Sequence, residues 1–301
     1  LEAWDAAGEY LAAMKARFHT PKALHVLVDA GCGAMSRIAP EAFRAAGYRV
    51  TELSCHPDGS FPDRSPNPAD FTCLGNTSRA VRERGADFGV AFDGDADRCL
   101  MVDELGHEID GDKIMAVCGK ALRQQGKLTN NAVVATVMSN LGLHEFCRNE
   151  QIELVCTAVG DRHVLEKMVE CDYAIGGEQS GHMIFREYAT TGDGELTALQ
   201  FLKALKASGK PASQLAACCA QYPQELINVP LSLAAGEKER VMASPELARA
   251  VKAQEEKLGG EGRVLIRPSG TEALIRVMVE AKTDEIARKV AEDLAELVKN
   301  L

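Results

Sequence analysis

Long apolar runs are missing from this chain. The longest, such as 132–138, are strand-sized and far short of the ~18 residues that a membrane-spanning helix needs. Basic charge is also in short supply: 34 Lys and Arg face 44 Asp and Glu, a formal net charge of −10. That balance argues against a nucleic-acid backbone or an anionic membrane as the main partner. No C-x-x-C pair occurs among the ten cysteines, which excludes zinc ribbons and thioredoxin-type redox motifs. The cysteines are scattered (Cys32, Cys55, Cys73, Cys99, Cys118, Cys147, Cys156, Cys171), and only Cys218 and Cys219 are close. Buried thiols in a reducing cytoplasm are therefore expected rather than disulfides. A signal peptide is lacking and the first residue is Leu1 rather than Met, so a processed chain or a missing upstream segment is expected.

What is present is globular: 301 residues, 46% hydrophobic and 26% charged, enough for two or three domains of about 100–150 residues. Leu1, Trp4, Leu11, Met14 and Phe18 fall near helical spacing and predict an amphipathic helix over 1–18, ended by Pro21. Strands and helices then alternate: strand 24–28, helix 40–46, strand 48–53, a loop rich in Pro and Asp, a helix to 84 and strand 88–92. A second round follows, with helices 113–124, 141–149 and 162–169 between strands 132–137, 152–156 and 173–175. After Pro223 the rhythm changes to strand 225–229, helix 245–258, strands 264–266 and 273–280, and helix 284–301. The expected class is α/β: two successive α/β domains, 1–108 and 109–222, followed by a smaller α+β C-terminal domain, 223–301.

Asp93-Gly94-Asp95-Ala96-Asp97-Arg98 directly follows the strand 88–92. Carboxylates at i, i+2 and i+4 converge only on a curled loop, because a flat strand spreads them along one face. Two carboxylates ~4 Å apart repel by roughly 4 kcal/mol at an effective dielectric of about 20. Three pointing inward imply a bound cation, and all-oxygen ligands imply Mg²⁺ or a similar hard ion. The competing reading is a solvated acidic turn. An EF-hand fits poorly: Glu104 stands at position 12 counted from Asp93, but Arg98 occupies position 6, where Gly is required, and the flanks read as strands. A cation beside Arg98 suits a phosphate oxygen as its remaining ligand.

Arg267-Pro268-Ser269-Gly270-Thr271-Glu272 lies between two strands and reads as a phosphate cradle. Gly270 frees backbone N–H groups, Ser269 and Thr271 add hydroxyls, Arg267 can bind two oxygens, and Arg276 can close the site. An ordinary hairpin turn is the alternative. Gly176-Gly177-Glu178-Gln179-Ser180-Gly181-His182 brackets a carboxylate, a hydroxyl and an imidazole with glycines, a set fit to read sugar hydroxyls. In Val159-Gly160-Asp161-Arg162, Asp161 reads as a helix N-cap. Residues 29–36 approximate a dinucleotide fingerprint with Ser36 where the third Gly belongs, and a tight glycine turn explains them better.

Taken in order, the Pro-Asp-Gly and Pro-Asn-Pro loop, DGDADR, VGDR, GEQSGH and RPSGTE resemble the α-D-phosphohexomutases over nearly the whole chain. The resemblance implies the fold above, with Asp93, Asp95 and Asp97 as Mg²⁺ ligands. It implies Arg98 beside the transferring phosphoryl group and, with His182, as catalytic, and Glu178, Ser180 and His182 at the sugar. Arg267, Ser269, Gly270, Thr271 and Arg276 would hold the phosphate that is not reacting. GEQSGH rather than GEMSGH is similar to the phosphoglucosamine-mutase branch, which interconverts glucosamine 6-phosphate and glucosamine 1-phosphate. The implied partners are a hexosamine phosphate and a hexose 1,6-bisphosphate intermediate, in the cytoplasm, with no nucleic acid and no membrane. Glucose- or mannose-phosphate mutases and a non-catalytic sugar-phosphate binder are the alternatives. Ala273 departs from the family's usual Pro. Family members also carry an N-terminal domain whose serine, in a T-A-S-H-N-P type motif, carries the phosphoryl group, and no such motif occurs here. The chain is thus expected to be the second to fourth domains of a four-domain enzyme, inactive alone.

Overall fold

Strands at the centre of a parallel sheet are covered on both faces and lose their polar alternation. The computed structural model, which describes residues 4–20, 24–69, 71–231, 236–270 and 272–301, opens with a sheet of this kind. Its elements are α1 (Ala6–Phe18), β1 (His25–Asp29), α2 (Ile38–Ala45), β2 (Arg49–Leu53), α3 (Phe71–Arg84), β3 (Phe88–Phe92), β4 (Cys99–Asp103) and β5 (Glu108–Ile109). The strand order is β2-β1-β3-β4-β5, with β2, β1 and β3 parallel and β4 and β5 antiparallel. Every residue of β1, β3 and β4 is buried. Asp29 pairs in register with Ala91, so the loops leaving β1 and β3 emerge side by side. The expected Leu1 end of α1 and its stop at Pro21 lie outside the described residues.

The second sheet repeats the plan. It comprises α4 (Gly111–Gln124), β6 (Ala132–Thr136), α5 (Leu141–Asn149), β7 (Glu153–Thr157), α6 (Asp161–Glu170), β8 (Ile175–Gly177), β9 (Met183–Phe185), α7 (Gly194–Ser208) and α8 (Ala212–Ala216). The order is β7-β6-β8-β9, with only β9 antiparallel. The N-cap of α6 is Gly160, so Asp161 is the first helical residue and not the cap. Helix α7 has no periodic signature in the sequence because it is buried nearly all round and carries no polar stripe. Both sheets belong to one compact unit, the residues up to Ser139 together with Leu143–Cys219. One core serves both sheets: Phe88 of β3 stacks on Phe201 of α7 at 5.5 Å between ring centroids.

The second unit consists of Asn140–Gly142 and Ala220–Leu301. It contains β10 (Gln224–Pro230), α9 (Glu237–Met242), α10 (Pro245–Leu258), β11 (Arg263–Pro268), β12 (Leu274–Glu280) and α11 (Asp284–Asn300). Its antiparallel sheet runs β10-β12-β11. Helix α11 buries Ala287, Val290, Ala291, Leu294, Ala295 and Val298, the i, i+3, i+4 stripe of a helix laid on a sheet. Fully buried Glu280 is matched by Arg263 Nε at 2.7 Å and by the backbone N–H of Leu141 at 2.8 Å. None of the ten cysteines forms a disulfide, as expected, but the expectation of buried thiols fails for Cys156 on edge strand β7 and Cys218 after α8, which are exposed. Among the described residues no helix is long and apolar enough to cross a membrane.

At the start of α7, Asp193 caps the helix by accepting from Leu196 N at 2.9 Å, and Tyr10 Oη donates to it at 3.0 Å. Glu195 is fully buried, and neither of its oxygens has a hydrogen-bond partner among the described residues. Burial, and then the charge of Asp193, push its carboxyl well above the ordinary value of 4.5. The native state therefore holds a proton that the unfolded chain releases. Stability is lost as pH rises from the unfolded pKa towards the native one, at up to about 1.4 kcal/mol per pH unit. Glu195→Gln should gain stability relative to the parent as pH rises from 5 to 7, whatever constant offset the amide adds. Urea-unfolding curves for both proteins across that range check this; a difference that does not change with pH rules out a buried neutral acid.

Candidate functional site

β3 ends at Phe92 and delivers Asp93 into the turn towards β4. The turn closes with Asp93 N donating to Arg98 O at 3.3 Å, and Ala96 adopts φ +65°, the left-handed curl that the alternating carboxylates need. One oxygen each from Asp93, Asp95 and Asp97 then lies within 4.8 Å of the others. Asp93 is buried, Asp97 half-buried and Asp95 exposed. Arg98 holds the cluster together: its backbone N–H reaches Asp93 Oδ1 at 3.1 Å, and its Nε lies 2.8 Å from Asp93 Oδ2 and 3.5 Å from Asp97 Oδ1. Burial dominates at Asp93 and raises its pKa, against the donation and charge of Arg98. A convergent all-carboxylate donor set, part sealed and part open, fits a hard divalent cation.

His182 continues this network. Its Nδ1 lies 3.0 Å from Asp97 Oδ2, and its Nε2 accepts from Gly192 N at 3.1 Å. Because Nε2 accepts, the proton sits on Nδ1 and is donated to Asp97. The imidazole is 4% exposed with both nitrogens engaged, so the structure places it behind Asp97 and not in the open. The backbones of Arg98 and His182 form an antiparallel bridge, and Cys99 N donates to Gly181 O at 3.3 Å. Gly181 has φ +95°, and a Cβ there would lie 2.1 Å from Cys99 O. Only glycine lets the two loops meet.

Beyond this bridge, Glu178 Oε1 accepts from Gly160 N at 3.0 Å, and Gln179 O accepts from Gly111 N at 3.0 Å. Gln179 Nε2 donates to Asp110 Oδ2 at 3.3 Å, and Ser180 is half-buried beside them. The first unit thus brings together the acidic loop, the VGDR turn and the GEQSGH loop.

In the second unit Arg267 on β11 stands opposite Arg276 on β12 in the antiparallel register. Burial first and Arg276 second lower the pKa of Arg267. Like charges paired across strands are destabilising unless an anion lies between or beside them. Arg276 Nη2 donates to Glu272 at 3.3 Å, while its Nε is buried with no hydrogen-bond partner among the described residues. Buried Ser269 accepts from Glu272 N through Oγ at 3.3 Å and donates its own N–H to Leu274 O at 2.9 Å. A Cβ at Gly270 would meet nothing within 4 Å, so packing does not demand glycine there. Thr271 lies outside the described residues. Lys238, which no motif announced, donates to Ser269 O at 2.6 Å and adds a third cation.

Three family models match successive segments: Phosphoglucomutase/phosphomannomutase alpha/beta/alpha domain II over residues 8–106, alpha/beta/alpha domain III over 110–222, and the C-terminal domain over 226–297. The phosphoglucosamine mutase of Rhodococcus erythropolis is 50% identical over 295 residues, covering 98% of this chain and 65% of that protein. That of Caldicellulosiruptor bescii is 48% identical over 279 residues, covering 93% of this chain and 61% of that protein. The chain spans just under two thirds of the length of these curated relatives. A phosphoglucomutase/phosphomannomutase family protein from Burkholderia thailandensis superposes with a TM-score of 0.84 at 23% identity, covering 99% of this chain and 65% of that one. Aspergillus fumigatus N-acetylphosphoglucosamine mutase, solved with GlcNAc-6P and magnesium, superposes with a TM-score of 0.74 at 20% identity, covering 97% of this chain and 64% of that one. These two solved structures share the fold of two α/β domains followed by a C-terminal domain. With its family models running consecutively along nearly its whole length, and relatives about half identical, this chain belongs to the phosphoglucomutase/phosphomannomutase family.

Proposed function

We propose that the chain carries the metal-, sugar- and phosphate-binding parts of a phosphoglucosamine mutase, which interconverts glucosamine 6-phosphate and glucosamine 1-phosphate through a hexose 1,6-bisphosphate. The observation that carries this reading is the hydrogen-bonded run Arg98–Asp93/Asp97–His182, which welds the acidic loop to the GEQSGH loop. The names borne by relatives about half identical support the amino sugar as substrate, as does Gln179. Mg²⁺ held by Asp93, Asp95 and Asp97 would neutralise the charge on a transferring phosphoryl group.

Arg98 keeps two of those carboxylates together and sets a positive charge beside the reacting phosphate. His182 orients Asp97 as a positioning residue. Glu178, with one oxygen fixed by Gly160 N, offers the other to a sugar hydroxyl, and Ser180 adds a second polar group. Arg267 and Arg276, with Ser269, Gly270 and Thr271, hold the phosphate that is not reacting. The reaction belongs to the cytoplasm, where sugar phosphates are made and used. The phosphoryl group needs a covalent carrier between its donation and its return. None of Ser36, Ser65 and Ser180 sits in the family's carrier motif, so residues 1–301 alone should bind sugar phosphate without turning it over. Robust turnover, or a stoichiometric phosphoserine found in these residues by mass spectrometry, would sink that expectation.

Asp95→Asn should weaken Mg²⁺ binding by this chain, measured by calorimetry, and abolish transfer in the full-length enzyme. Unchanged Mg²⁺ affinity removes the metal assignment.

Arg267→Ala should weaken every phosphorylated hexose alike, by about 1.5–3 kcal/mol for each charge-assisted hydrogen bond that the guanidinium makes to phosphate. Glu178→Ala should instead change discrimination among glucosamine, glucose and mannose phosphates. Competition binding with all three sugars separates the roles. An Arg267→Ala protein with altered sugar preference but intact dependence on phosphate contradicts them.

A further inference from the structure

Apart from the acidic loop, three donor atoms of unlike chemistry converge beside the glycine turn that follows β1. Cys32 Sγ lies 3.5 Å from His56 Nε2 and 3.5 Å from Asp63 Oδ2, and the latter two atoms lie 3.8 Å apart. A tetrahedral zinc ion, with Zn–S about 2.3 Å and Zn–N and Zn–O about 2.0–2.2 Å, sets its ligand atoms about 3.3–3.7 Å from one another. The observed triangle matches one face of that tetrahedron to within a few tenths of an ångström.

We propose that Cys32, His56 and Asp63 form a binding site for a zinc-class transition-metal ion, with the fourth position open to water. Thiolate and imidazole ligands select such an ion and disfavour the hard cation suited to the all-carboxylate loop. On binding, the Cys32 thiol proton leaves to solvent, the sulfur lone pair bonds the metal, and no electron changes hands. One thiolate, one carboxylate and a neutral imidazole then balance a divalent charge.

The ligands are held before any ion arrives. Cys32 is 2% exposed; its N–H donates to Ser54 O at 2.7 Å, and its carbonyl accepts from Asp58 N at 2.9 Å. Asp63 precedes Arg64, whose Nε pairs with buried Asp29 at 3.0 Å, and the same Asp29 accepts from Gly31 N, one residue before Cys32. Two ligands therefore hang from one buried ion pair. The His56 and Asp63 side chains are open to solvent, which leaves an entry path and room for the fourth ligand. Two residues past Cys32, Ala34 N donates to Gly94 O at 2.9 Å, so the site adjoins the acidic loop without sharing a ligand with it.

The test is a Co²⁺ titration of the reduced, metal-free 301-residue chain in excess Mg²⁺, read by absorption. One equivalent should produce a sulfur-to-cobalt charge-transfer band together with tetrahedral ligand-field bands, and Zn²⁺ should bleach both. Cys32→Ser should abolish the charge-transfer band, while substitution of exposed Cys218 by Ser should leave it. His56→Ala alters a solvent-open side chain, so the fold survives. It should weaken Co²⁺ binding more than about 100-fold, beyond the roughly 10–100-fold cost of losing an outer-shell partner. A parent chain without the band overturns the proposal. So does a band that survives Cys32→Ser, affinity unchanged in His56→Ala, or a band lost in Asp95→Asn, which would place the cobalt at the acidic loop.

Discussion

The curl of residues 93–98 is the constraint on which the first unit's site depends. Asp93, Asp95 and Asp97 repel one another, and Ala96 takes a left-handed backbone that costs an L-residue roughly 1–2 kcal/mol. Arg98 offsets part of this by ligating two of the three carboxylates. The neighbours are shaped to the curl. A Cβ on Gly192 would lie 2.6 Å from Asp97 O and 2.5 Å from the His182 ring, so close approach there requires the missing side chain. Backbone donors complete the fit, with Gly194 N reaching Ala96 O at 3.0 Å and Ala34 N reaching Gly94 O at 2.9 Å. The loop is strained locally and fixed by everything packed on it, a combination found where structure is kept for chemistry.

The second unit stores the opposite imbalance. Arg267 and Arg276 face each other across two strands, Lys238 approaches the same turn, and Arg276 keeps a buried donor unmatched among the described residues. An unmatched buried donor costs about 1–3 kcal/mol, and like charges in cross-strand register add to it. Glu272 alone does not balance three cations. The phosphate proposed for this hairpin would relieve the imbalance by supplying the missing acceptors on binding.

Local patterns were the legible part of the sequence. Strand 88–92 and helices 141–149 and 245–258 stand where their patterns put them, and the i, i+2, i+4 carboxylates announced a curl that the backbone makes. Elements without a period were not legible: α7 is apolar all round, and β9 is only three residues long. Long-range pairings left no trace either. His182 meets Asp97 across 85 residues of sequence, and Lys238 reaches Ser269 across 31. The Cys32, His56 and Asp63 group has no motif spacing: a buried ion pair between Asp29 and Arg64 anchors the segments of Cys32 and Asp63, and no short repeat sets the three together. Asp161 is not the cap its spacing suggests, because Gly160, with φ 124°, already occupies the capping position.

Each unit's deficit, taken by itself, points to a kind of ligand group. An acidic cluster with a sealed Asp93 suits a cation that still has coordination sites to share, which hard donors such as water or a phosphate oxygen can fill. An arginine pair with an orphaned Nε calls for an oxyanion able to accept from two planar forks, and phosphate does so in bidentate fashion. The polar groups of Glu178 and Ser180 suit hydroxyls rather than a nucleobase. No aromatic side chain stands in either the GEQSGH or the RPSGTE loop to stack on one. Each demand, taken unit by unit, is one that the proposed sugar phosphate can meet with its own chemical groups.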